Sequence, residues 1–145
     1  MYQRILIPTD GSEPSQRGIL ASIRLAKALG AEVVGLTVTP EYHTWTLDTD
    51  QVEMTPEQYS THNEQRAQRI LGDIARAAQN AGVPCRVLHA VSDAPYEAII
   101  AAARDQHCDL VSMASHGRRG LKGLLLGSET QKVLVHSTVP VLVHR

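Results

Sequence analysis

Residues 5–14 read Ile5-Leu6-Ile7-Pro8-Thr9-Asp10-Gly11-Ser12-Glu13-Pro14. The apolar run fits a strand buried on both faces, and Pro8 to Ser12 closes it with turn residues. Ser12 then offers an N-cap hydroxyl, Glu13 an acid at the positive end of a helix, and Pro14 a residue suited to the first turn. A helix to about Leu29 follows, with Ile19, Ile23 and Ala26 on one stripe and Gly30 as its stop. Buried strand, tight turn and amphipathic helix make the opening of a parallel α/β unit.

The same alternation continues along the chain. Glu32 to Val38 is a Val- and Leu-rich strand. Thr39 to Met54 is irregular and polar, carries the only Trp, Trp45, and reads as either a lid or a disordered cover. Thr55-Pro56-Glu57-Gln58 is a capping box opening a long helix, with Ala67, Ile70, Leu71, Ile74, Ala75 and Ala78 on its stripe and Gly82 at its end. Val83 to Val91 is a third strand. Asp93 and Pro95 start a helix carrying Ile99, Ala102 and Ala103 inward. Asp109 to Ala114 is a fourth strand, Ser115 to Leu126 a glycine-rich basic loop, and Gly127-Ser128 the start of a helix with Val133 and Leu134 inward. Val139 to Val143 is the last strand. The order β-α-β-α-β-α-β-α-β predicts a parallel sheet covered by helices on both faces.

Composition limits the rest. The 145 residues suit one domain. With Phe absent and aromatics at 3%, the core must come from Val, Ile, Leu and Ala. A formal charge of −1 without basic or acidic tails argues against nucleic acid as a partner. The first apolar run is too short for a secretory signal, and no stretch reaches a membrane span, so a cytoplasmic location without membrane attachment is expected. There Cys85 and Cys108 should be reduced, packed thiols.

In open parallel sheets, ligands bind beyond the carboxyl ends of the strands, where strand order reverses. That directs attention to Pro8, Thr9 and Asp10, to Val38, and to Met113-Ala114-Ser115-His116-Gly117-Arg118-Arg119-Gly120 with Gly127, Ser128 and Glu129. Small residues let backbone N–H groups approach an anion, and Gly127-Ser128 presents a helix N-terminus. Arg118, Arg119 and Lys122 would add positive charge. A phosphate-binding loop and a solvated glycine-rich surface loop both fit. Asp10 would either accept hydrogen bonds from adenine or ribose or close an Asx-turn, and both roles are compatible. The Walker A pattern, Gly-x-Gly-x-x-Gly after a strand, zinc-type spacings of His or Cys, and Gly-x-Ser-x-Gly are all absent, so no metal centre and no catalytic residue is expected.

The spacing Gly117-x9-Gly127-Ser128, the opening Ile5 to Ser12 and the closing Pro140-Val141-Leu142-Val143 resemble the universal stress protein family over the whole chain. Its ATP-binding signature is Gly-x2-Gly-x9-Gly-Ser/Thr; this chain has Ala114 at the first glycine. The resemblance implies a Rossmann-like sheet of five parallel strands in the order 3-2-1-4-5, of the adenine nucleotide alpha hydrolase-like type. It implies ATP with Mg2+ or Mn2+, adenine near Asp10 and Val38, ribose beside Pro8 and Thr9, and phosphates on the backbone at Ala114, Gly117, Gly127 and Ser128. An alanine at 114 costs nothing in extended backbone, whereas a positive φ there would strain it and weaken binding. The resemblance further implies a homodimer paired through the last strand, about 139–143, acting as a stress-response signalling module for protein partners not specified by the sequence. Two alternatives stand beside it: a nucleotide-free dimeric interaction protein, and a slow ATPase or self-phosphorylating protein using Ser115, Ser128 or Thr130 with His116 as the nearest base.

Overall fold

The structure is a computed structural model that describes residues 1–46, 49–117 and 126–145. Five parallel strands, β1 (Arg4–Pro8), β2 (Glu32–Thr39), β3 (Cys85–Val91), β4 (Leu110–Ala114) and β5 (Val141–His144), lie in the order β3-β2-β1-β4-β5. The helices are α1 (Glu13–Leu29), α2 (Thr49–Glu53), α3 (Pro56–Ala81), α4 (Pro95–Asp105) and α5 (Ser128–His136). The chain starts in the middle of the sheet, winds outward through β2 and β3, then crosses to β4 and β5. The strand order reverses at β1 and β4, which opens a crevice at their carboxyl ends.

Alternation along β1 divides the core. Ile5 and Ile7 face α1 and α3, packing with Ile19, Ile23, Leu71 and Ile74. Leu6 faces the other way, with Val34, Leu36 and Val111 of neighbouring strands, Ile99 of α4 and Val133 of α5. Branched aliphatics fill both layers, as the absence of Phe requires. The caps match the sequence: Ser12 Oγ accepts from Ser15 N at 3.4 Å, Thr55 and Gln58 form a reciprocal capping box, and Gly30 and Gly82 end α1 and α3 with φ of 66° and 73°. Cys85 and Cys108 are free thiols, and burial pushes Cys108 up to about 11, so the thiolate is suppressed.

Three local expectations are corrected. The stretch after β2 is not structureless. It contains α2, and the side chain of Gln51, only 4% exposed, donates to Glu41 O at 3.2 Å and Tyr59 Oη at 3.1 Å while accepting from His43 N at 2.7 Å. Asp93 does not cap α4. The N-cap there is Ala94 without a side-chain bond, and Tyr96 N donates instead to Glu129 Oε2 at 3.0 Å. In α5, Val133 is fully buried but Leu134 is 41% exposed. On this short helix the inward stripe is Thr130 and Val133, and the next residue turns about 100° away from it.

Candidate functional site

Asp10 stands where β1 ends. Its Oδ1 accepts from Ser12 N and from Ser15 Oγ, both at 2.9 Å, so turn and helix fix the carboxylate together. Gly11, at φ 79°, supplies the left-handed step of this turn. Asp10 Oδ2 points toward Gly117, close enough that a Cβ on that glycine would overlap it. Thr9 is buried, donates its N–H to Leu36 O at 2.8 Å and takes Gly11 N on its hydroxyl. Pro8 is the last residue of β1 paired with β2.

Val38 lies two residues beyond Leu36, the partner of Pro8 on β2. Glu32 N donates to Gln3 O and Leu36 O accepts from Thr9 N, whereas Val33 N donates to Pro84 O and Thr39 O accepts from Ser92 N. Even-numbered residues of β2 therefore turn their peptide groups toward β1 and odd-numbered ones toward β3. The peptide groups of Val38 face the crevice beyond Pro8, one donor and one acceptor on a strand end.

The far wall comes from β4 and α5. Ala114 closes β4 in extended backbone; among the described residues the one non-glycine with positive φ is His107. The Ala114 methyl faces Gly18 of α1, where even an added Cβ would still sit 3.4 Å from it. The alanine is thus accommodated against α1 without strain. Ser115 N donates to His144 O, and Gly127 N donates to Ser115 O, both at 2.7 Å, which brings the two ends of the long loop together. Thr130 Oγ1 locks the junction from inside by donating to Ala114 O at 3.1 Å and Ser115 O at 3.3 Å. A Cβ at Gly127 would come 3.2 Å from Ser115 O, so the close approach favours glycine.

Gly127 is the N-cap of α5 and makes no side-chain cap bond. Ser12 and Thr55 satisfy the first turns of α1 and α3 with hydroxyls, and Glu129 serves α4. The first turn of α5 thus keeps its N–H groups and positive dipole end without a side-chain cap, next to Asp10 and Gly117 through the loop junction. This arrangement can take an anion on backbone donors.

Some sequence candidates contribute backbone only. Met113 is 7% exposed and packs its side chain into the core shared by α4 and α5. The Glu129 carboxylate is committed to Tyr96 N and to Lys132 Nζ, at 3.0 and 3.3 Å. The hydroxyl of Thr130 is occupied at the loop junction, and that of Ser115, 6% exposed, is paired with His116 Nδ1 at 3.0 Å. Ser128 is the exposed hydroxyl of the three. His116 Nε2 is buried without a partner among the described residues. Arg118, Arg119, Gly120, Lys122 and Gly123 lie outside the described residues. Ser15 and Gly18, unremarked in the sequence, prove to support the site. Their signal was present: a serine and a glycine on the inward face of α1, beside the apolar stripe of Ile19 and Ile23.

Comparison with known proteins gives one consistent picture. The model of the Universal stress protein family matches residues 1–145. Universal stress protein YxiE of Bacillus subtilis is 31% identical over 149 residues, covering 100% of both chains. Universal stress protein MJ0577 of Methanocaldococcus jannaschii is 31% identical over 155 residues, covering 99% of this chain and 94% of its own. The solved structure of MJ0577 superposes with a TM-score of 0.80 over 99% of this chain and 95% of that one. A universal stress protein solved in complex with cAMP has a TM-score of 0.74 at 24% identity, covering 99% of this chain and 97% of its own, a likeness of fold.

Proposed function

The chain belongs to the universal stress protein family, and we propose that it is an adenine-nucleotide-binding module whose ligand is ATP accompanied by Mg2+ or Mn2+. The observation that carries this reading is the α5 N-terminus left without a side-chain cap and brought to the crevice by the Gly127–Ser115 bond. Backbone N–H groups of Ser128 and Glu129 would take phosphate oxygens. The Val38 peptide groups would read the adenine edge, and Asp10, oriented by Ser12 and Ser15, would accept from ribose or adenine donors. Thr9 and Pro8 would flank the ribose. The cation would neutralise part of the phosphate charge. A relative of the same fold in complex with cAMP supports the capacity of the architecture; the case for this chain rests on its own residues.

The module acts, in this reading, as a homodimer in the cytoplasm, where nucleotide occupancy alters the surface that stress-response partners meet. Among the described residues β5 is an edge strand paired with β4 alone, and its own Leu142 is 38% exposed. Hydrolysis or self-phosphorylation is the less favoured reading. Thr130 and Ser115 are buried and hydrogen-bonded, which leaves Ser128 as acceptor.

The test is titration calorimetry on protein stripped of ligand, with ATP and Mg2+, and with AMP as control. Micromolar binding of ATP that AMP does not match supports phosphate capture by α5. No heat and no thermal stabilisation at millimolar ATP would favour the nucleotide-free interaction protein instead.

A further inference from the structure

The carboxyl ends of β2 and β3 carry a second polar group that the nucleotide reading does not use. Glu41, His43 and Asp93 each turn one ligand atom toward the other two, and the three atoms lie within 4.8 Å of one another. We propose that they form a binding site for a borderline divalent cation of the Zn2+ class.

The donor set decides the class. One imidazole nitrogen with two carboxylate oxygens suits Zn2+, Co2+ or Mn2+, whereas Mg2+ and Ca2+ prefer oxygen alone. Bonds of about 2.1 Å at tetrahedral angles put ligand atoms about 3.4 Å apart. His43 Nε2 and Asp93 Oδ2 stand 2.6 Å apart, so they would open by less than an ångström to admit the ion. A solvated His–Asp pair accounts for those two residues but not for Glu41. A second carboxylate that close to the first adds like charge, which a bound cation would offset.

The ligands are also positioned. Glu41 N donates to Asp93 Oδ1 at 3.0 Å, which leaves Oδ2 facing His43. Gln51, buried beneath, holds the backbone of both Glu41 and His43 and is itself held by Tyr59. Such supporting hydrogen bonds are what orient the ligands of a metal site. Glu41 and Asp93 remain exposed, so further coordination positions open to solvent. Asp93, which the sequence assigned to a helix start, has its role here.

The chain reports on this site by itself. Its only Trp, Trp45, has its ring 5.9 Å from that of His43. Nucleotide-free protein is titrated with Co2+ while its visible absorption and Trp45 fluorescence are followed. The expected result is one saturating Co2+ per chain, at sub-millimolar metal, with quenching reversed by excess Zn2+. Glu41→Gln, whose carboxylate makes no hydrogen bond to another described side chain, should bind at least about 10-fold more weakly with unchanged melting. His43→Gln and Asp93→Asn should lose the quenching. Absence of saturable binding would overturn the assignment. So would wild-type affinity in both Glu41→Gln and His43→Gln, because the ion would then sit on other histidines.

Discussion

Asp10 and Gly117 occupy one small space across the crevice: any Cβ on Gly117 would overlap the Asp10 carboxylate. The turn after β1 and the loop after β4 meet there only because residue 117 lacks a side chain. Gly117 does not carry a positive φ, so its requirement is steric rather than conformational.

Gly117→Val should therefore displace Asp10 Oδ2 and lower ATP affinity by at least about 10-fold. Because Asp10 also holds Ser12 N and Ser15 Oγ, some stability should go with it, about 1 kcal/mol. Calorimetry on the folded variant checks the first effect and thermal melting the second. A variant that binds ATP like the wild type would place the ligand elsewhere.

Ala114→Gly restores the family's first glycine. The Ala114 methyl already rests against Gly18 in unstrained strand backbone. ATP affinity should stay within about 3-fold of wild type, and stability should drop by about 0.5–1 kcal/mol from added chain entropy. A marked gain in affinity would show that the methyl obstructs the nucleotide.

A buried chain of hydrogen bonds ties α1, β4 and β5 together. Ser22 Oγ donates to Gly18 O at 2.7 Å, so it accepts from Ser112 Oγ at 2.7 Å, which in turn accepts from His144 Nε2 at 2.7 Å. Burial holds His144 below its usual value of 6.5. Below pH 6.5 the unfolded chain takes up a proton that the folded chain resists, so stability should fall on acidification from there through the folded pKa. Asp109 resists burial through bonds from Gln3 and Arg4 N–H and lies below 3.8, so its contribution is lost only in stronger acid. His144→Gln keeps a donor for Ser112 and should flatten the denaturation midpoint between pH 6.5 and 5. An unchanged slope would assign it to other groups.

Leu142→Glu should shift the chain toward monomer by at least about 10-fold in dissociation constant, read by sedimentation velocity, because it puts charge on the exposed edge strand. Wild-type protein sedimenting as a monomer at all concentrations would refute pairing through β5.

The sheet and its helices were legible because punctuation and periodicity agree: Ser12 with Gly30, Thr55 with Gly82, and the continuous apolar run Ile5-Leu6-Ile7, buried on both faces. The family was legible from the Gly117-x9-Gly127-Ser128 spacing taken together with the opening Ile5 to Ser12 and the closing Pro140 to Val143. What stayed hidden depends on side chains meeting across the fold. Gln51 anchors an aperiodic stretch through three bonds to residues eight to ten positions away, and no periodic pattern marks it. Asp93 looked like a cap because it stands two residues before Pro95 at a helix start, yet Glu129 reached Tyr96 N from another helix. Leu134 looked inward because a nine-residue helix gives too short a stripe to fix its phase.

The most direct test of the central claim is an amide nitrogen–proton correlation spectrum recorded while ATP and Mg2+ are added. The account predicts the largest shifts at the amides of Val38, Gly117, Ser128 and Glu129, with Val52 on α2 unmoved. Saturating nucleotide that leaves those four amides in place, or moves a different surface, would contradict it.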